Sequence, residues 1–192
     1  SACNISMGCT HCIEDRMNIK KYDWNYLITQ RDRDMVCEDV KQAINDGKFW
    51  TNSPKFQTNF NVFGLQSPHW MKLKMSFIMS CFMFLEKEVQ IKAIQAWSFM
   101  TKLPGEDREK LWHHHWHDIS VNSISGVYYV HLPEADDDCG TEFAPKGPED
   151  ETRHMEPPFL GGWIIYESKE WHRPGILKSE EPRFIVAADM MY

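Results

Sequence analysis

Hydrophobic and polar positions alternate at helical spacing in the first half of the chain. Apolar residues recur every three or four positions along residues 34–47, which predicts a short amphipathic helix ending at an Asp-Gly pair. Pro68 marks the start of a second predicted helix, residues 69–88, because proline is favoured in the first turn of a helix and no proline interrupts this segment. The intervening residues 51–67 are polar and turn-rich, and we expect them to connect the two helices.

After about residue 89 the apolar residues come in short runs typical of strands. These runs are β-branched or aromatic, and segments rich in Pro, Gly and Asp separate them. The predicted strands are residues 94–101, 126–132, 163–166 and 184–188. Helices followed by short strands predict an α+β chain in which helices support a sandwich or jelly roll. We therefore expect one domain, residues 1–192, with helical support over 1–88 and a β core over 89–192.

The second predicted helix carries a stripe of methionines. Met71, Met75, Met79 and Met83 are spaced four residues apart, which places them on one face. The longest uncharged run of this helix, residues 75–85, is too short for a membrane span, which needs about 20 residues. We predict a buried helix whose methionines fill the core, with a copper site or a partner-binding stripe as the alternative.

Composition narrows the expected partners and compartment. The 192 residues carry a net charge of −7, whereas a nucleic-acid binder usually shows a basic face, so small molecules or proteins are the expected partners. Six cysteines are scattered and no signal peptide precedes them, which favours a cytoplasmic protein without a membrane anchor. The Cys-x-x-Cys pair at residues 9–12 has the inner spacing of a zinc knuckle or redox motif. No second pair follows at zinc-finger distance, so we interpret it as free thiols.

The main candidate for metal chemistry is a histidine cluster, LWHHHWHD, at residues 111–118. On an extended strand, side chains two positions apart share a face, so His115 and His117 point the same way and form half of a metal site. Neutral imidazole suits iron, zinc, copper and nickel, so the spacing alone does not choose the metal. The alternative is a solvated, partly cationic end of a strand.

A further histidine, His172, follows an apolar run and a turn near the end of the chain. Arg183 opens the last predicted strand eleven positions later, at a distance that suits two adjacent strands of one barrel. Arginine's planar fork binds a carboxylate through two parallel hydrogen bonds, which lysine cannot copy. The two residues are therefore candidates for a metal ligand and an anion-binding group.

The chain resembles the Fe(II)/2-oxoglutarate-dependent oxygenases, and within them the phage and bacterial members close to prolyl hydroxylases. The resemblance covers about residues 93–192 and is carried by the histidine cluster and then by SGVYYVHLPE, CGTEF, GGWIIYESKEWHRP and PRFIVAADM, in that order. It implies a double-stranded β-helix (jelly roll) whose open mouth holds Fe(II), with 2-oxoglutarate and dioxygen as cosubstrates. In that scheme His172 is the distal iron ligand and Arg183 binds the far carboxylate of 2-oxoglutarate. Tyr129 matches a tyrosine whose hydroxyl helps to hold that carboxylate, with a core aromatic as the alternative.

The sequence departs from the family pattern at the carboxylate ligand. The usual iron site is His-x-Asp/Glu followed by a distant His, but the residue two positions beyond His115 is His117, and Asp118 lies directly next to His117. The resemblance therefore implies a three-histidine site of His115, His117 and His172. Asp118 is the alternative ligand, which would face the metal only across a bulge, or a residue that orients a ligand.

The resemblance implies an enzyme, a 2-oxoglutarate-dependent dioxygenase that hydroxylates a C–H bond. Its substrate would be a peptide, with proline as one target, or a small molecule. Two other functions would use the same residues. A three-histidine cupin-like metalloenzyme would leave Arg183 without a cosubstrate to hold, and a non-catalytic jelly roll would only bind metal, sugar or protein.

Overall fold

The computed structural model of the chain describes residues 17–52, 55–102, 122–133 and 139–192. These ranges contain two α-helices, α1 (Gln30–Asn45) and α2 (Pro68–Leu85), and a 3-10 turn, Val62–Gly64. They also contain the strands β1 (Ile19–Asp23), β2 (Phe49–Asn52), β3 (Lys55–Thr58), β4 (Ala93–Thr101), β5 (Ser123–His131), β6 (Thr141–Phe143), β7 (His154–Glu156), β8 (Gly162–Glu167), β9 (His172–Pro174) and β10 (Arg183–Met191). Both predicted helices and all four predicted strands are confirmed, with ends shifted by a few residues.

The strands form two antiparallel sheets. The large sheet has seven strands in the order β1-β8-β5-β10-β4-β3-β2, and the small sheet has three in the order β7-β6-β9. β10 lies at the centre of the large sheet, paired on one side with β5 and on the other with β4. Its even-numbered side chains join the core beneath the helices, and its odd-numbered side chains from Arg183 to Asp189 line a cavity that the small sheet covers. The central strand thus separates a packed side from an open side.

The stretch before residue 89 supplies strands as well as helices. β1 forms one edge of the large sheet by pairing with β8, and the β2–β3 hairpin forms the other edge by pairing with β4. The prediction that residues 51–67 only connect the helices is therefore wrong, since β3 and the end of β2 lie within them. β3 has four residues, too few for the alternation of its side chains to stand out in the sequence.

Helix α1 begins at a capping box. The Thr29 side chain accepts a hydrogen bond from the backbone N–H of Asp32, and the Asp32 carboxylate accepts one from the backbone N–H of Thr29. The same carboxylate binds the Lys72 ammonium of α2 over 2.8 Å, which ties the two helices together. In the described part of the chain, neither helix combines the length and apolar character required to cross a bilayer.

The methionine stripe of α2 faces solvent. Its four side chains are between 43% and 54% exposed, so the prediction that they fill the core is wrong. The opposite face of the helix is buried and carries Trp70, Leu73, Phe77 and Phe84. α2 is apolar on both faces, and the face with aromatic side chains packs on the sheet because these bury large areas and lose less rotamer freedom than methionine does.

Candidate functional site

A cavity lies between the two sheets. Strands β3, β4, β5, β8 and β10 line it from the large sheet, and β6 and β9 line it from the small sheet. The space between the sheets measures about 580 Å³ when the open mouth is included. His172, Arg183 and Tyr129, which the sequence placed in three separate motifs, all lie on its wall.

His172 is held in a single tautomer. It opens β9 and pairs with Phe143 of β6, and its side chain is 4% exposed. Its Nδ1 lies 2.8 Å from the backbone carbonyl oxygen of Glu170. A carbonyl oxygen only accepts, so Nδ1 carries a proton, and in the neutral form of the ring the lone pair lies on Nε2. The Tyr166 ring packs edge-on against the imidazole, with 4.9 Å between the ring centres, and fixes its orientation. Metal-binding histidines are commonly oriented in this way.

Arg183 is a buried cation with neutral partners. Its side chain is 2% exposed, and Nη1 donates to the backbone carbonyls of Cys139 and Gly175. Its Nε has no hydrogen-bond partner among the described residues. A buried guanidinium whose donors are incompletely used is costly unless an anion completes its contacts. The geometry therefore suits a carboxylate arriving from the cavity.

Tyr129 lies on the cavity side of β5. Its hydroxyl is 2.7 Å from Oγ1 of Thr141 on the small sheet, so one hydrogen bond joins the two sheets. Burial raises the pKa of Tyr129 to about 12, and the phenol is therefore a neutral donor or acceptor near pH 7. Its neighbour Tyr128 points the opposite way, into the core under the helices. Tyr129 is thus a buried aromatic residue on the cavity wall, and its contact with a carboxylate stays a prediction.

The remaining predicted ligands, His115, His117 and Asp118, lie outside the described residues, as does the Cys-x-x-Cys pair at residues 9–12. Of the predicted iron ligands, His172 alone belongs to the part that the structure describes. Within that part, no three His, Cys, Asp or Glu side chains are grouped in a way that would hold a metal ion.

Asp189 is a carboxylate on the cavity wall that the sequence analysis missed. It is 4% exposed, and the Ser125 hydroxyl donates to its Oδ1 over 2.6 Å. Ser168 lies 2.8 Å from the same Ser125 oxygen and donates in turn, because the single Ser125 proton already points to Asp189. The signal was present in the sequence, since Arg183 and Asp189 flank the predicted strand 184–188 and share odd numbering.

Lys55 and Thr101 also line the cavity, beside Arg183. Lys55 lies opposite Thr101 across β3 and β4, and Thr101 lies opposite Arg183 across β4 and β10. The alignment of Lys55, Thr101 and Arg183 depends on how the three strands pair, so no local sequence motif could have predicted it. A fourth charged residue of the wall, Arg173, is already paired, since its Nε donates to the Glu142 carboxylate over 2.6 Å.

By sequence, the chain matches no protein-family model and no curated protein. By structure, it is similar to the non-heme α-ketoglutarate-dependent epimerase SnoN from nogalamycin biosynthesis, with a TM-score of 0.66 and 10% identity over 92% of this chain and 77% of SnoN. A prolyl-4-hydroxylase from Pseudomonas putida gives a TM-score of 0.61 and 10% identity over 91% of this chain and 92% of that one. HygX from Streptomyces hygroscopicus, solved with nickel, 2-oxoglutarate and hygromycin B bound, gives a TM-score of 0.62 and 8% identity over 92% of this chain and 83% of HygX.

The chain has the jelly-roll fold of the 2-oxoglutarate-dependent oxygenases. The predicted fold class, an α+β chain in which helices support a double-stranded β-helix, is therefore confirmed. At 10% identity or less the likeness establishes the fold, and the chemistry depends on the residues of the cavity.

Proposed function

We propose that this chain is an Fe(II)- and 2-oxoglutarate-dependent oxygenase. The observation that carries the proposal is the wall of one cavity, where His172 has its lone pair on Nε2 and Arg183 is buried without a charged partner among the described residues. Fe(II) suits an imidazole nitrogen, and an oxo acid that chelates the iron through one end can bring a second carboxylate to Arg183. The neighbour HygX binds nickel and 2-oxoglutarate in the same fold, which supports this choice of ligand.

The imidazole donors fit iron. Nε2 of His172 is a suitable ligand for Fe(II), and its Nδ1–H bond to Glu170 keeps the ring in the required tautomer. His115 and His117 complete the proposed ligand set, with Asp118 as the alternative to one of them. Three protein ligands leave positions on the metal for cosubstrate and dioxygen.

The anion-binding groups fit the far carboxylate of 2-oxoglutarate. Arg183 offers a planar fork for two parallel hydrogen bonds. The Tyr129 hydroxyl, already bonded to Thr141, lies on the same wall and is a second donor. Because Arg183 cannot lose its proton, this contact would persist over the whole physiological pH range.

Each part of the chain has a distinct task in this chemistry. With iron and 2-oxoglutarate bound, the site supplies oxidative hydroxylation of a C–H bond coupled to conversion of 2-oxoglutarate and dioxygen to succinate and carbon dioxide. The buried side chains around His172, which include Tyr166 and Phe143, exclude water from the reacting end. Arg183 and Tyr129 bind and orient the cosubstrate at its other end.

We propose a peptide, with proline as one target, or a small molecule as the hydroxylated substrate. One structural neighbour is a prolyl-4-hydroxylase and another was solved with hygromycin B, so the fold accommodates both classes.

Titration of 2-oxoglutarate into anaerobic, Fe(II)-loaded protein tests the proposal directly. We expect a saturable visible charge-transfer band, followed by dioxygen-dependent succinate formation. Iron binding without such a band would instead indicate a cupin-like three-histidine enzyme. Absence of iron binding would contradict the proposed function and favour a non-catalytic jelly roll.

A further inference from the structure

Three side chains form a row across the large sheet at the Arg183 end of the cavity. Lys55, Thr101 and Arg183 are successive cross-strand partners on β3, β4 and β10. Directly opposed residues point to the same face, and all three line the cavity. Neighbouring strands are about 4.8 Å apart, so the Cα atoms of Lys55 and Arg183 are roughly 10 Å apart with Thr101 between them. Two cations therefore share one end of the cavity.

Neither cation is neutralised by the protein in its described part. Lys55 is half-buried, and its ammonium lies 5.4 Å from the centre of the Phe99 ring. No carboxylate pairs with Lys55 or Arg183 among the ion pairs of the described residues. Burial, and then the neighbouring Arg183 charge, lower the pKa of Lys55. Two like charges held together in a cavity wall favour an anionic ligand.

The other charged side chains near the cavity wall do not neutralise Lys55 or Arg183 among the described residues. Arg173 and Glu142 already form an ion pair. Asp189 is six residues from Arg183 along β10, or about 20 Å at roughly 3.3 Å per residue, and it accepts a hydrogen bond from Ser125. The cavity is thus cationic at one end and carries a carboxylate at the other.

The order of the strands decides which ligand group meets Lys55. His172 packs on Tyr166 of β8, and the large sheet continues from β8 through β5, β10 and β4 to β3. Lys55 on β3 therefore lies beyond Arg183 as seen from His172. A ligand that extends from His172 to Arg183 presents its far end, and not its reacting end, to Lys55.

We infer that Lys55 is a second contact for the far carboxylate of the cosubstrate and makes the site selective for 2-oxo dicarboxylates. This inference rests on the proposed function. Arg183 supplies the planar fork, and the flexible Lys55 stem brings a compact charge to the carboxylate from the opposite side. Thr101, between them, supplies a hydroxyl that can donate to the same group. Binding of the carboxylate also stabilises the charged form of Lys55, so complex formation takes up protons at a pH where free Lys55 is partly neutral.

The test compares two acids on three proteins. Dissociation constants for 2-oxoglutarate and for 2-oxobutyrate, which lacks the far carboxylate, are measured by calorimetry on the full chain loaded anaerobically with Fe(II). Lys55→Met keeps the length of the side chain and removes its charge. Lys102→Met is the matched control, because Lys102 is exposed and lies over the Phe56 ring, away from the cavity wall.

We expect Lys55→Met to weaken 2-oxoglutarate binding by about tenfold, as for loss of one hydrogen bond to a charged group, and to leave 2-oxobutyrate binding unchanged. Lys102→Met should match the wild type with both acids, and Lys55→Arg should recover most of the lost affinity. Equal 2-oxoglutarate affinity in Lys55→Met and wild type would overturn the role of Lys55 while leaving the proposed function standing. A wild-type protein that fails to bind 2-oxoglutarate would overturn both.

A second measurement uses the wild-type protein alone and so does not depend on how the variants fold. Lysine acetylation by an amine-reactive reagent is followed by mass spectrometry with and without 2-oxoglutarate. We expect the cosubstrate to protect Lys55 and not Lys102. Equal labelling of Lys55 in both conditions, at a saturating concentration of 2-oxoglutarate, would also overturn the inference.

Discussion

The Nδ1–H of His172 donates to the backbone carbonyl of Glu170, two residues earlier in the chain, over 2.8 Å. This short-range bond does not depend on any distant element, so the ring keeps its tautomer as long as the turn before β9 is formed. It fixes Nε2 as the nitrogen with the lone pair, on a residue that lines the cavity. The tautomer of the candidate iron ligand is therefore set locally.

Replacing His172 by alanine should remove most Fe(II) binding and all activity while the protein stays folded. Loss of a metal ligand should lower the affinity for Fe(II) by more than the roughly 10–100-fold that follows loss of a residue hydrogen-bonded to a ligand. Metal content by atomic emission and the far-ultraviolet circular dichroism spectrum would check this. His154→Ala is the control, because His154 is exposed and lies on β7, at the opposite edge of the small sheet from β9. Wild-type iron content in the His172 variant would contradict its assignment as a ligand.

Replacing Arg183 by alanine should raise the dissociation constant of 2-oxoglutarate by roughly 30- to 1000-fold, because a buried charged contact is worth on the order of 2–4 kcal/mol. Arg183→Lys should recover part of this affinity, since the charge remains and the fork is lost. Fe(II) affinity should change little. Calorimetry on both variants, with exposed Arg31→Ala as the control, measures the effect. Unchanged 2-oxoglutarate affinity in Arg183→Ala would favour the cupin-like alternative.

Two neighbouring positions of α2 should respond very differently to substitution. Leu73 is fully buried and Met75 is 54% exposed. Leu73→Ala should lower the free energy of unfolding by about 2–5 kcal/mol, as for other buried leucines. Met75→Gln should change it by less than about 0.5 kcal/mol, as at most surface sites. Urea unfolding of both variants measures this, and a large loss for Met75→Gln would show that the methionine face is covered in solution.

Asp32 should contribute to acid sensitivity. Burial acts to raise the pKa of Asp32, but hydrogen bonds from Lys72 and Thr29 outweigh it and hold the pKa below the ordinary value of 3.8. A lowered pKa means that the stabilisation is present above the pKa of the unfolded chain and is lost as pH falls through the lower pKa of the folded chain. Asp32→Asn should therefore flatten the fall in unfolding free energy below about pH 4. An unchanged pH profile in that variant would contradict the shift.

Local patterns in the sequence predicted the elements better than they predicted which faces are buried. The β-branched and aromatic runs that became β4, β5, β8 and β10 were recognisable because a strand interior restricts residue type. The methionine stripe was misjudged because α2 is apolar on both faces, and only the shape of the sheet beneath it decides which face packs.

The sequence also predicted some residues of the candidate site and missed others. His172 and Arg183 were found because each lies in a motif with the expected spacing. Lys55 was missed because its place beside Arg183 depends on the pairing of β3 with β4 and of β4 with β10, over more than a hundred residues. Cross-strand register of that kind has no local sequence signature.

The central place of β10 has a consequence for how the protein is made. The two strands that flank β10 in the large sheet, β4 and β5, are synthesised well before it, and each leaves a ribosome with an unpaired edge that β10 later fills. Until then those edges can pair with other nascent chains, so the period before β10 emerges is the time of greatest aggregation risk. Folding should be slow, because the pairings that complete the sheet are distant in sequence, and chaperone dependence should fall sharply once residues 183–191 have left the ribosome.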